Sequence, residues 1–390
     1  MNGALGPLAL FAAALEARRL AQIDRRVRVV DSPQSAQLIV NGAPRLAFCS
    51  NDYLGLANSP ELIAAGQRAL ARWGVGASAS HLISGHMSPH ESLEHRVAEF
   101  VGLPDALIFS TGYMANVGVI SALADRSSEV FADRLNHASL NDGAILSRAK
   151  LRRYRHRDLA QLESMLAKST AARRLIVSDT VFSMDGDIAD VHALHALAER
   201  HDALLVLDDA HGFGVLGLHG RGALAHAQLG SSRIIYVATF GKALGVAGAF
   251  VAADAVVIDT LRQFARSYGY STAMPPAQAA TVEASIDLVE HADARREHLT
   301  QLIAHLRAKF KPKRWRLADS PTPIQPVIIG SSEAARAAAA RLDDEGIWVA
   351  AIRPPTVPEG TARLRISLSA AHSLNDVDKL VDALMRAEQS

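Results

Sequence analysis

Short apolar runs, each closed by a polar cluster, constrain this chain more than any other feature. "DALIFSTGYMAN" gives a strand at 106–110, then a Ser/Thr/Gly turn into a helix. "EVFADRLNHAS" gives a strand near 129–132 and a polar loop with His137. "RRLIVSDTVFSMDGD" gives a strand at 174–178 and a loop through Ser183. "DALLVLDDAHG" gives a strand at 203–207 that ends in two aspartates and a histidine. "RIIYVATFGK" repeats the design and ends on Lys242. Strands apolar on both faces that alternate with helices predict an α/β fold with a mostly parallel sheet. Ligands of open α/β sheets bind outside the carboxyl ends of the strands. That edge gathers His137, Ser183, Asp208, His211 and Lys242.

The rest of the chain is organised around this block. The chain has 390 residues, long enough for two domains. "GPLALFAAALEARRLAQ" predicts an amphipathic helix that packs on the main body, followed by short strands up to a polar loop at Ser50–Tyr53. Its charges follow the apolar part, which argues against a signal peptide. From about residue 286 the texture turns to "DARREHLTQLIAHLRAKF" and "SEAARAAAARLDDEG" as helices, with "PIQPVIIG", "IWVAAIRPP" and "ARLRISLSA" as strands. The expected division is an N-terminal helix and short strands (1–48), a large domain (49–285) and a smaller α+β domain (286–390).

Composition excludes some classes. A net charge of +1 gives no electrostatic case for nucleic acid. The basic run "RAKLRRYRHR" (148–157) reads as a solvated face. No stretch reaches the ~20 apolar residues of a membrane helix. The one cysteine, Cys49, allows no intrachain disulfide and fits a reducing cytoplasm.

Several near-motifs fail. His90 and His95 in "HESLEH" are five apart, whereas metal ligation from one helix face needs four, and His192 and His195 lack a third ligand, so no metal site is expected. "GFGVLG" (212–217) is followed by another glycine-rich stretch where a dinucleotide site needs a helix. "FGKAL" lacks the first glycine and the Ser/Thr of a phosphate-binding Walker loop. Asp208 and His211 alone are as well explained by a capped turn. With Lys242 at the end of the next strand, they suit one cofactor. Pyridoxal phosphate needs an amine for its aldehyde, an anion for its ring nitrogen, donors for its phenolate and a cradle for its phosphate. "STGYMAN" (110–116) offers hydroxyls and backbone N–H groups at a helix N-terminus.

Together, "DDAHGFG", "TFGKALG", "FSTGYMAN", "FSMDGD" and "NHASL" closely resemble the α-oxoamine synthases, a branch of the fold-type-I pyridoxal-phosphate enzymes. The resemblance runs from "SNDYLGL" to "SLSAAH". It implies an aspartate-aminotransferase-like large domain and a homodimer, whose cofactor phosphate is also touched across the interface by a segment like "YSTAMPP" (270–276). It implies that Lys242 carries the cofactor covalently, that Asp208 pairs with the pyridine nitrogen, that His211 and Ser183 reach the phenolate oxygen, and that His137 stacks on the ring. Thr239 would touch the phosphate, with the backbone of Gly112 and Tyr113 nearby. Arg353 would hold an amino-acid carboxylate, Arg25 and Thr356 would line the acyl path, and Asn51 is a further candidate.

Within the family, "AIRPPTVPEGTARLRISLSAAH" resembles the biotin-pathway branch, which joins L-alanine to a pimeloyl thioester carried on coenzyme A or an acyl-carrier protein. The alternative is a glycine-using member such as 2-amino-3-ketobutyrate CoA ligase. Two positions depart from the family pattern. His86 follows Ser-Gly where relatives often carry Tyr, and Asp179 stands where many carry Glu. Both are expected outside the core chemistry.

Overall fold

Asn41 and Gly42 both adopt left-handed backbone conformations, with φ of 49° and 77°, as a two-residue hairpin turn requires. They join β1 (Gln37–Val40) to β2 (Ala43–Ala47). This is a computed structural model, and it describes residues 6–20, 23–25 and 27–389. The main sheet is built from β3 (Asp105–Phe109), β4 (Ser128–Asp133), β5 (Lys150–Tyr154), β6 (Arg173–Asp179), β7 (Leu204–Asp208), β8 (Ile234–Thr239) and β9 (Ala249–Ala253). Its order is β3-β9-β8-β7-β6-β4-β5.

The strands from β8 through β7, β6 and β4 to β5 pair in parallel. β9, formed by "AFVAA" shortly after Lys242, runs antiparallel to both β8 and β3. The sequence reading did not assign it a strand. Two reversals restore β3 to the direction of β8, so the Ser/Thr/Gly turn after β3 opens on the same edge as the parallel strand ends. Side chains alternate between two core clusters, as a period of two demands. Val130, Leu175, Val206 and Val251 face one cluster, while Phe131, Ile176, Leu205 and Phe250 face the other.

The basic run proves to be the edge strand β5. Lys150 and Arg152 reach Glu129 of the neighbouring strand at 3.1 and 3.2 Å. Cations on an edge strand discourage further strands from adding to it.

The C-terminal part contributes β10 (Arg316–Leu317), β11 (Ile324–Gly330), β12 (Ile347–Trp348), β13 (Ala350–Ile352) and β14 (Ala362–Ser367). A four-stranded sheet has the order β10-β11-β14-β13. "IWVAAIRPP" is split between sheets, because β12 pairs in parallel with β2 of the N-terminal hairpin. Residues before 48 therefore share a sheet with residues after 286.

The N-terminal helix forms over Pro7–Leu20, but it buries no residue in this chain. Leu8 and Phe11 are 82% and 68% exposed. The expected packing on the main body does not occur. Apolar residues are spread around the helix, so no single stripe faces the body.

Helix Gly112–Leu123, which follows β3, lies against helix Ala138–Ser147, which follows β4. Gly143 permits this approach: a Cβ there would lie 3.1 Å from the Ile120 Cβ and 3.2 Å from the Asn116 carbonyl oxygen. Gly143→Val is expected to overpack this contact and lower stability by about 1–3 kcal/mol, read as a reduced urea midpoint with an unchanged m-value.

Candidate active site

β6 and β7 pair so that Asp179 stands beside Asp208, each the last residue of its strand. The Asp208 carboxylate accepts from Asn116 Nδ2 at 2.6 Å and from the Ala210 backbone N–H at 3.0 Å. Asn116 sits on the first turns of helix Gly112–Leu123 and also donates to Ser139 at 2.9 Å. The Asp179 carboxylate accepts the His137 backbone N–H at 2.9 Å. Burial, and then the neighbouring Asp208 carboxylate, hold the Asp179 carboxyl well above the usual carboxylate range. The expectation that Asp179 lies outside the core chemistry is therefore corrected. It lines the same cavity as Lys242 and fixes the backbone that presents His137.

Asp209 points the other way. Its carboxylate accepts from Thr180, from Tyr236 and from the Ala223 N–H at 2.7 Å, and it is fully buried. Of the two adjacent aspartates, Asp208 faces the cavity and Asp209 ties the following turns to the sheet. Those turns run through Gly212–Gly217 with no helix of the kind a dinucleotide site needs.

Lys242 follows β8. Its Nζ lies 2.9 Å from His211 Nε2. Burial lowers the ammonium from 10.5 to about 8, against the opposing pull of Asp208 and Asp179. Burial, and then Lys242 and Arg365, hold His211 well below its ordinary value, so its ring is neutral. His211 Nδ1 meets the Tyr53 hydroxyl at 2.7 Å, and that hydroxyl lies 3.2 Å from Asn51 Oδ1. Asn51 Oδ1 accepts from Arg365 at 3.2 and 3.3 Å. With Tyr53 donating to Asn51, the His211 proton sits on Nδ1 and Nε2 accepts from Lys242.

A cavity of about 210 Å³ collects Gly112, Tyr113, His137, Ser183, Asp208, His211, Thr239 and Lys242. The sequence-predicted cofactor residues thus converge. Thr111 caps the helix that starts at Gly112 by accepting the Met114 N–H at 3.2 Å, which leaves the first N–H groups turned to the cavity edge. His137 Nδ1 lies 2.7 Å from the Ser139 hydroxyl, which fixes its ring. A second cavity of about 540 Å³ also reaches Lys242 and is lined by Asn51, Val246 and Trp348 among others.

Arg25, Arg353 and Thr356 line neither cavity. Arg25 and Thr356 are exposed, and Arg353 stands where the charges of Arg336 and Asp24 act on it. Reasoning from sequence missed Tyr53, Asn116, Asp179 and Arg365. One signal for Arg365 was present: "ARLRIS" places two arginines two apart in an apolar strand, and arginines are rarely buried without partners. His86, the other departure, pairs with His81 at 2.9 Å and with Glu91 at 2.9 Å, outside this site. His90, beside them, already uses both ring nitrogens, on the Met87 N–H and the Met274 carbonyl.

The donor set fits pyridoxal phosphate. It offers a largely buried amine of lowered basicity, a carboxylate braced at the neighbouring strand end, a neutral histidine beside the amine, and a helix N-terminus of twelve residues for a phosphate. Fold and site define a pyridoxal-phosphate-dependent enzyme of the aminotransferase type. The family model for class I and II aminotransferases matches residues 44–384. An 8-amino-7-oxononanoate synthase of Aromatoleum aromaticum is 57% identical, over 95% of this chain and 97% of that one. One from Methylobacillus flagellatus is 56% identical, over 94% and 92%. Among solved structures, a serine palmitoyltransferase of Sphingomonas wittichii is 32% identical with a TM-score of 0.91, covering 99% of this chain and 98% of that one. The chain belongs to the 8-amino-7-oxononanoate synthase family.

Capture of an aldehyde requires the neutral form of Lys242, whose ammonium loses its proton at about 8. The capture rate of cofactor-free protein is expected to rise with pH, reach half its plateau near pH 8 and flatten above it. Stopped-flow absorbance of pyridoxal phosphate measures it. A solvated lysine would keep gaining rate toward pH ~10.4.

Proposed function

We propose that this chain condenses L-alanine with a pimeloyl thioester to give 8-amino-7-oxononanoate, releasing CO2 and the thiol carrier, as a step of biotin biosynthesis. The observation that carries the reading is Lys242: a largely buried amine beside His211, at the strand edge that also holds Asp208. Full-length similarity to synthases of that name supports it.

Bound pyridoxal phosphate supplies an electron sink for the charge left at the amino acid's α-carbon. Lys242 would hold the cofactor and would be the base for the α-proton; an amine with a value of about 8 is a serviceable base near neutrality. Asp208, braced by Asn116, keeps the ring nitrogen protonated. By resemblance, Ser183 and His211 would hold the cofactor's phenolate oxygen, and His137 would lie against the ring and donate to the acyl carbonyl. Thr239, Gly112 and Tyr113, at the same cavity, would receive the phosphate. Two guanidiniums can meet the alanine carboxylate: Arg353 by resemblance, and Arg365 by its place next to Asn51. The acyl chain would approach Lys242 through the 540 Å³ cavity; Arg25 and Thr356 are assigned to the acyl path by resemblance alone. The carrier is coenzyme A or an acyl-carrier protein.

We also read the protein as a homodimer of the cytoplasm. Tyr270, Ser271 and Thr272 line a groove of about 520 Å³ separate from the Lys242 cavity, together with the exposed Leu82, Ile83 and Phe264. A second copy would cover such apolar side chains. Among the described residues no helix is long and apolar enough to cross a membrane.

Thiol release from pimeloyl thioesters on both carriers, with L-alanine or glycine, tests the assignment. Faster turnover with glycine would overturn it. Lys242→Ala is expected to abolish the cofactor's protein-bound absorbance and reduce turnover by more than about a thousandfold. Val246→Phe, which narrows the larger cavity, is expected to raise KM for the thioester severalfold and leave KM for L-alanine unchanged.

A further inference from the structure

The loop that carries Ser183 is held at every residue from 183 to 187. Arg365 Nε donates to the Ser183 carbonyl at 2.6 Å. Arg363 Nη1 donates to the Met184 carbonyl at 3.0 Å and to the Asp185 carboxylate at 2.7 Å. The Gly186 carbonyl accepts from the hydroxyls of Ser320 at 2.8 Å and Thr322 at 3.0 Å. Asp187 takes His156 at 2.8 Å and Arg157 at 3.2 Å. Gly186 has no alternative in this grip. Its φ is +72°, and a Cβ there would fall 2.4 Å from the Ile324 carbonyl oxygen.

The partners come from two places. His156 and Arg157 follow the edge strand β5 of the main sheet. Arg363, Arg365, Ser320 and Thr322 belong to the C-terminal sheet or lead into it. The Arg363 side chain is 4% exposed and Asp185 30%. Burying a guanidinium is costly, and a buried ion pair is weak evidence for stability. A loop needing only to be tied down would be served by neutral hydroxyls, as at Gly186. The paired charge also fixes direction, because a planar guanidinium reaches a carbonyl and a carboxylate in set geometry.

We propose that Arg363 is a positioning residue. Through Asp185 and the Met184 carbonyl it sets the Ser183 hydroxyl in the wall of the Lys242 cavity, so that seating of the C-terminal sheet completes the cofactor site. This rests on reading the cavity as the pyridoxal-phosphate site.

A double-mutant cycle tests it, with cofactor affinity measured by equilibrium dialysis of pyridoxal phosphate against cofactor-free protein. Ser183→Ala and Arg363→Gln are each expected to weaken affinity by about threefold to tenfold, the net range of one hydrogen bond. The double variant is expected to be no weaker than the weaker single, because both act through one hydroxyl. Asp185→Asn, whose amide oxygen still accepts from the guanidinium, is expected to share the effect with a somewhat lowered urea midpoint, and it serves if Arg363→Gln does not fold. Losses that multiply in the double variant, or full affinity in Asp185→Asn and Arg363→Gln, would overturn the proposal. Failure of the wild-type protein to bind the cofactor through Lys242 would instead overturn the reading of the cavity.

Discussion

Lys242 holds a titratable amine where little water reaches it, and much of the surrounding structure answers that condition. Desolvation favours the neutral amine, while Asp208 and Asp179 favour the ammonium. The balance near 8 leaves the group able to change protonation at ordinary pH. Asp208 and Asp179 stand side by side with separate donors, Asn116 and the Ala210 N–H for Asp208 and the His137 N–H for Asp179, and burial with the Asp208 charge keeps the Asp179 carboxyl above the usual range. Parallel pairing of β6, β7 and β8 makes the arrangement possible, since it brings the carboxyl ends of all three strands to one edge.

The sequence read well where periodicity and strand ends carried the information. Apolar runs located five of the seven strands of the main sheet to within a residue or two, and the polar cluster after most of them named Asp208, His211, His137, Ser183 and Lys242 as neighbours; β5 was hidden inside the basic run. Legibility stopped where the face of a residue mattered. Asp208 and Asp209 are adjacent and chemically alike, yet the pleat sends one to the cavity and the other to Thr180 and Tyr236. Position along a strand end does not reveal which is which. Tyr53 and Arg365 were hidden because their partners, His211 and Asn51, lie far away in sequence. β9 was hidden by its small residues and by the glycine-rich turn before it. The N-terminal helix was legible as a helix, but its burial was not, since nothing in its composition says what its apolar side chains meet.

Partition of the chain was the least legible property. The texture change near residue 286 falls inside helix Pro276–Glu290, and pairing of β12 with β2 draws the N-terminal hairpin into the C-terminal layer. His372 strengthens that tie by stacking on Phe48 at 4.3 Å and bonding the Ala47 carbonyl at 3.0 Å. The C-terminal layer is therefore tied to the N-terminal hairpin both through a shared sheet and through His372.

The bond between Tyr53 and His211 has a consequence for acid–base chemistry. The Tyr53 hydroxyl carries one hydrogen and has two partners, Asn51 Oδ1 and His211 Nδ1. Aimed at Asn51, it leaves His211 Nε2 as a proton acceptor toward the amine. Rotated onto Nδ1, it leaves the proton on Nε2, and the same nitrogen becomes a donor toward whatever occupies the cavity. Hydroxyl orientation and imidazole tautomer are thus coupled: reversing the polarity of the ring takes the O–H rotation together with transfer of the imidazole proton from Nδ1 to Nε2. The site can greet a bare amine and a cofactor oxygen with the same rigid ring.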